Sequence, residues 1–231
     1  MKVRIRRYPG DVQEFNLDIS QKLTLLDLLY RIREEIDPSL SFRSMCRAGV
    51  CGTCGVRLKG KPVLACSTWV SPEEELDLEP LEGYAPIKDL VVDQEGILRG
   101  LRGAKLWLRP FEDNKPIQEG LNQKTSKSWE CILCGICDSV CPVLTNPSPF
   151  GGPMTLTRGY KHLLDLRNSN PTETLQNLYS LRPDLCTHCM NCSYACPKKL
   201  MPEALIKEEE NLLVERGLLQ REVSGFDFLS F

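Results

Sequence analysis

Twelve cysteines, at positions 46, 51, 54, 66, 131, 134, 137, 141, 186, 189, 192 and 196, fall into three groups of four, with none elsewhere in the chain. Thiols clustered this tightly either cross-link the backbone or bind metal, and either role dictates which segments must meet in the fold. The first ten residues, MKVRIRRYPG, are charged and lack an apolar run. The expectation is a chain without a secretory signal, in a compartment that keeps thiols reduced, which argues against disulfides. Zinc is the stronger rival, because C-x-x-C pairs bind it. Runs with three short gaps and a Cys-Pro end match iron–sulfur ligation more closely.

The first group, CRAGVCGTC followed by Cys66, has gaps of four, two and eleven residues. This plant-type ferredoxin spacing predicts a 2Fe–2S centre on Cys46, Cys51, Cys54 and Cys66. Gly49, Gly52 and Gly55 are expected to bring the loop close to the sulfides, with φ > 0 and N–H groups donated to them. CILCGICDSVCP at 131–142 and CTHCMNCSYACP at 186–197 share gaps of two, two and three before proline. In the bacterial ferredoxin arrangement the fourth cysteine of each run ligates the other run's cluster. One 4Fe–4S centre is thus expected on Cys131, Cys134, Cys137 and Cys196. The other centre takes Cys141, Cys186 and Cys192, with Cys189 open as a further ligand. Such an exchange ties distant segments together, so the helical part is expected to need its clusters to fold.

The rest of the sequence divides near residue 95. Before it, Val3 and Ile5, then Phe15, Leu17 and Ile19, alternate with polar neighbours around the turn Pro9-Gly10-Asp11, as strands do. Leu25, Leu26, Leu28, Leu29 and Ile32 follow at helical spacing, and Asp37-Pro38 ends that helix. GVRL and PVLA flank KGK as a second hairpin. These elements suggest a β-grasp domain over 1–95, another small α+β roll being the alternative. From 96 to 231 the pattern is helical, with helices read at Met154 to Leu166, Thr172 to Leu181 and Glu203 to Glu215. The predicted class is α+β, with a loop-rich connection over 109–128. Lys207-Glu208-Glu209-Glu210 reads as a solvated helix face, and GILRGLRG at 96–103 lacks the glycine spacing of a nucleotide site. A net charge of −2 gives no electrostatic case for nucleic acid. No apolar run nears the ~20 residues of a membrane helix; LTLLDLLY is broken by Asp27.

SFRSMCRAGVCGTCGVRLKGKPVLAC, LEPLEGYAPIKDLVVD, CILCGICDSVCP and NCSYACPKKLMP together resemble the iron–sulfur subunits of succinate dehydrogenase and fumarate reductase (respiratory complex II). The resemblance runs along nearly the whole chain, and APIKDLVVD extends it to a stretch without ligands. It implies a plant-type ferredoxin domain, a helical ferredoxin-like domain and a relay of three centres. Electrons would pass between the FAD of a flavoprotein partner, next to the first centre, and a quinone near the third. Membrane-anchor subunits would hold the chain peripherally on the cytoplasmic side of the inner membrane. Succinate and fumarate would bind the flavoprotein; this chain shows no nucleophile–base motif and only two histidines, so no catalytic residue is assigned to it.

Two positions depart from the family pattern. Cys189 stands where an aliphatic residue or serine usually leaves a three-iron centre. A second 4Fe–4S centre of lower potential is therefore expected, with 3Fe–4S the outcome if Cys189 is a spare thiol. Pro142-Val143-Leu144-Thr145-Asn146-Pro147 replaces the usual serine and paired tryptophans, which puts the usual quinone pocket in question. Rival readings are a thiol-driven or heterodisulfide-reductase-like fumarate reductase, which would need a separate cysteine-rich partner, and a zinc-stabilised interaction module. His188 reads as a surface or backbone-bonded residue, and His162, Trp69 and Trp129 as surface or packing residues. The apolar tail GFDFLSF is read as either a core contact or a partner surface.

Overall fold

The structure is a computed structural model that describes residues 1–107 and 127–220, without the side chains of residues 96–99 and 127. Most of the connection read at 109–128, and all of the tail at 225–231, lie outside the described residues.

Strands β1 (Lys2–Arg6) and β2 (Val12–Asn16) form an antiparallel hairpin in which Val3 faces Phe15. The alternation in sequence is the alternation in space: Val3, Ile5 and Phe15 are buried while their neighbours are not. After the short β3 (Leu23–Thr24), helix α1 (Leu25–Arg31) begins where the Thr24 hydroxyl accepts the Asp27 N–H at 3.1 Å. One wide π turn, Ile32–Ile36, continues it until Asp37 adopts an extended backbone before Pro38. Strands β4 (Gly55–Leu58) and β5 (Lys61–Leu64) form the second hairpin. Its turn is two residues, Lys59-Gly60, both with φ > 0, so Lys61 belongs to the strand and not to the turn.

Strand β7 (Glu75–Glu79) completes the sheet, in the order β2-β1-β7-β4-β5. It runs parallel to β1, with Val3 beside Leu76 and Ile5 beside Leu78. Short β6 (Trp69–Val70) pairs with β3, and β8 (Pro86–Lys88) with β9 (Val91–Val92). The buried leucines of α1 and the inward residues of β1, β2, β4 and β7 share one core. Arg7 closes its far end: the guanidinium reaches Asp37 at 2.5 Å and buried Asp89 at 2.7 Å, with Ser39 at 3.0 Å.

Beyond β9, every described element is helical: α2 (Glu95–Gly103), α3 (Ile136–Ser139), α4 (Pro153–Leu163), α5 (Pro171–Ser180), α6 (Asn191–Ala195) and α7 (Pro202–Glu215). Proline stands in the first turn of α4, α5 and α7, where its missing N–H has no intrahelical partner to lose. Helix α4 is central, packing on both α5 and α7. A second core forms here around Phe150, Leu156, Leu178 and Ile206. The first core does not stop at the boundary, since it takes in Cys134 and Ile136 from the helical part.

The acidic run on α7 corrects the expectation of a solvated face. Lys207 and Glu208 are exposed, but Glu209 is 0 % exposed and neither carboxyl oxygen has a hydrogen-bond partner. The helix turns every fourth position inward, so one member of a charged run lands in the core. Burial pushes this carboxyl well above its usual range. A raised folded-state pKa means the folded chain holds a proton that the unfolded chain releases above about pH 4.5, so stability is lost as pH rises through the folded value. Glu209→Leu should therefore raise stability by about 1–3 kcal/mol, and by more at pH 8 than at pH 5. Anaerobic unfolding midpoints followed by circular dichroism test this; a midpoint lowered at both pH values would show that the carboxyl is needed where it is.

Candidate functional site

The loop that follows Ser44 folds around its own thiols. Cys46 Sγ accepts the backbone N–H groups of Ala48 (3.4 Å), Val50 (3.3 Å) and Cys51 (3.3 Å). These three dipoles pull its pKa down to about 6, Ala48 first among them. Cys66 Sγ accepts the Gly49 N–H at 3.2 Å and lies 3.3 Å from Cys54 Sγ. Cys54, buried, is pushed up to about 12 by desolvation. Arg47 and Gly49 both have φ > 0, which is what wraps the chain tightly enough for its N–H groups to converge.

Of the three glycines, Gly49 acts as expected, Gly52 does so in its φ alone, and Gly55 does not. Gly52 has φ +73, yet its close approach is to another segment: a Cβ there would lie 2.7 Å from Ile132 O and 2.9 Å from Cys134 Cβ. The first cysteine loop thus touches the second cysteine run backbone to backbone. Gly55 is extended, at the start of β4, and a Cβ there would meet only ordinary contact with Leu81 at 3.5 Å. Its conformation does not require glycine.

The two later runs line two separate recesses. One is walled by Cys131, Cys134, Cys137 and Cys196 together with Met154 and Thr157 of α4. The other is walled by Cys141, Cys186, Cys189 and Cys192, with Val143 and Glu203. Each recess draws its fourth thiol from the opposite run, because short helices α3 and α6 pack against each other and carry the Cys-Pro ends across. Burial pushes Cys134, Cys186 and Cys192 up to about 11 and Cys137 well above its ordinary value. Protonated, these buried thiols pack as small apolar groups; metal ligation would require the protons to leave. Among the described residues no three His, Cys, Asp or Glu side chains converge on a single-ion site. One zinc would need all four sulfurs of a recess within ~2.3 Å of a point.

Several neighbours carried no signal in the sequence. Asp138, between Cys137 and Cys141, is part-buried, accepts the Met154 N–H at 2.8 Å, and is raised to about 7 by desolvation. Tyr30 bonds Ser44 and is stacked by Arg33 at 4.6 Å and Arg47 at 4.5 Å, which anchors the first loop to α1. His188 is bonded by side chains and not by backbone: its ring nitrogens lie 3.0 Å from Glu203 and 3.2 Å from Glu210. Trp69 is exposed and His162 is buried, as surface and packing residues are. The Pro142–Leu144 segment is a single 3-10 turn whose Val143 lines the third recess.

Residues 2–99 match the family model described as a 2Fe-2S iron-sulfur cluster binding domain, and residues 127–200 match a 4Fe-4S dicluster domain. The chain is similar to succinate dehydrogenase (ubiquinone) iron-sulfur subunit 3, mitochondrial, of Arabidopsis thaliana. The two are 32% identical over 226 residues, covering 91% of this chain and 72% of the relative. Subunit 1 of Oryza sativa subsp. japonica is 32% identical over 214 residues, covering 88% and 76%. In structure the chain is similar to a chain of the Mycobacterium smegmatis Sdh1 complex in the apo form, with a TM-score of 0.85 over 93% of this chain and 95% of that one. At 21% identity that likeness shows the fold. The domain matches fit a 2Fe–2S cluster, a 4Fe–4S cluster and a third, and the relatives are parts of an oxidoreductase complex. With relatives this similar over this much of their length, the chain belongs to the succinate dehydrogenase iron–sulfur subunits, electron-transfer proteins of that complex.

Proposed function

We propose that this subunit relays electrons between the FAD of a flavoprotein partner and a quinone pool through three centres. Cys46, Cys51, Cys54 and Cys66 would hold the 2Fe–2S group, and Cys131, Cys134, Cys137 and Cys196 a 4Fe–4S group. Cys141, Cys186, Cys189 and Cys192 would hold a second 4Fe–4S group. When bound, these groups supply one-electron carriers that the side chains alone cannot provide. The observation that carries the reading is the pair of recesses, each walled by four cysteines with the fourth exchanged between runs. The Gly52 contact with Cys134 supports a short path from the first centre to the second.

The sheet with α1 across it supports the β-grasp reading of residues 1–95, and the helices from α2 onward a ferredoxin-like unit over 96–231. Among the described residues no helix is long and apolar enough to cross a membrane. Attachment to the cytoplasmic side of the inner membrane would then come through membrane-anchor subunits. A thiol-linked acceptor, as in heterodisulfide-reductase-like relatives, is the second reading, favoured by Cys189 in the wall of the third recess. Assay of the purified complex with succinate, fumarate, quinones and thiols separates the two.

Iron content tests the ligand assignment. Anaerobically purified protein should hold about ten irons per chain, from one two-iron and two four-iron centres. A reproducible count near nine, with a three-iron paramagnetic signal after oxidation, would remove Cys189 from the ligand set.

A further inference from the structure

Lysine is rarely buried without a carboxylate beside it, and Lys161 on α4 is such a case. It is 6 % exposed, and no Asp or Glu among the described residues lies within ion-pair distance of its ammonium. Asp165, just past the end of α4, favours the ammonium from a distance but is itself bonded by Arg167 at 2.8 Å. The surrounding charges are mostly positive: Arg158 and Arg167 repel Lys161, and His162, which burial holds down to about 4, adds no anion. What the ammonium does have is the face of Trp129, 3.5 Å from the ring centroid, with Arg167 5.1 Å from the same ring. A ring and the C-terminal dipole of α4 offset only part of the cost of desolvating a cation.

The ring that holds this cation belongs to a ligand-bearing segment. Trp129 is two residues before Cys131, in the 3-10 turn Lys127–Glu130 that packs on α4. Thr157, one helical turn before Lys161 on the same helix, lines the recess of Cys131, Cys134, Cys137 and Cys196. Arg158, one position after Thr157 on the same helix, adds a second cation to this stretch of α4. Four thiolates around a cluster carry net negative charge, and that charge grows by one on reduction.

We propose that Lys161, pinned on Trp129, is a positioning cation for the second centre that raises its reduction potential and so favours the reduced form. The inference rests on the ligand set proposed above. A fixed positive charge in a poorly screened interior stabilises the more negative oxidation state more than the less negative one. Trp129 keeps the ammonium from turning out to solvent.

The test is a redox titration of the whole complex, followed by centre-resolved paramagnetic resonance, with iron counted on the same samples. Lys161→Met should shift the second centre to a more negative midpoint and leave the first and third in place. Lys161→Arg should keep the native midpoint, and Trp129→Leu should give part of the Met shift with the lysine still present. An unmoved second midpoint in iron-replete Lys161→Met overturns the proposal, as does an Arg variant that shifts as far as Met. Should the Met variant lose iron, Lys161→Gln and Trp129→Leu are titrated instead, and an unmoved midpoint in either overturns it. Native protein with too little iron for three centres would sink the ligand assignment separately.

Discussion

Cys196→Ala is expected to cost the chain about four of its about ten irons, all from the centre whose other three thiols lie on the upstream run. Cys196 shares its recess with Cys131, Cys134 and Cys137, while its own run-mates Cys186, Cys189 and Cys192 wall the other. The Leu200 N–H donates to Cys196 Sγ at 3.5 Å, which fixes the thiol at the rim after the Cys-Pro turn. Cys141→Ala should do the converse and remove the third centre. The loss should also loosen the helical unit, because the tie between the two runs goes with the cluster and α3 and α6 are too short to hold each other unaided. Centre-resolved spectra and iron per chain measure the result. If Cys196→Ala disturbs the third centre and spares the second, each run serves itself and the exchanged arrangement is wrong.

Gly52→Ala is the second large effect, and its cause is steric. At φ +73 a side chain costs about 1–2 kcal/mol. The added methyl would also meet backbone, Ile132 O at 2.7 Å and Cys134 Cα at 3.0 Å, which cannot swing aside as a side-chain end can. Overpacking of that kind costs about 1–3 kcal/mol, so roughly 2–5 kcal/mol is expected in all. Gly60→Ala is the matched control: its φ is +77, but nothing lies within 4 Å of the Cβ, so only the conformational part applies. The comparison is of unfolding midpoints, with the magnetic interaction between the first and second centres read in the same samples. If Gly52→Ala and Gly60→Ala prove equal in both, the contact between loop and run carries no weight.

What could be read from the chain was whatever repeats locally. Cysteine gaps are set by the geometry of the group they hold, and the same holds for the two-residue period of Val3 and Ile5 and the helical spacing of α1. Strand β7 was missed although Leu76 and Leu78 alternate inward, because three acidic residues fill its five positions and its partner β1 is distant in sequence. Gly52 looked like a loop glycine serving its own sulfurs, since nothing near it in sequence announces Cys134. Glu209 was hidden among charges: a run of four covers a whole helical turn, and one side of that turn had to face α4. His188 was read as a surface or backbone-bonded residue, but its two carboxylate partners come from α7, a full element away.

The exchange of walls between the two recesses also orders events in time. A chain leaving the ribosome can close its first cysteine loop once Cys66 is out, with every wall of that site already made. Neither later recess can close at that stage, nor when Cys141 emerges, because one lacks Cys196 and the other lacks three of its four thiols. Both become complete over the length of a single short helix, α6, one at Cys192 near its start and the other at Cys196 just past its end. Iron delivery to this subunit should therefore fall into an early step and one late, joint step. A synthesis halted anywhere between Cys66 and Cys192 leaves six or fewer later thiols waiting for a metal that has nowhere to sit.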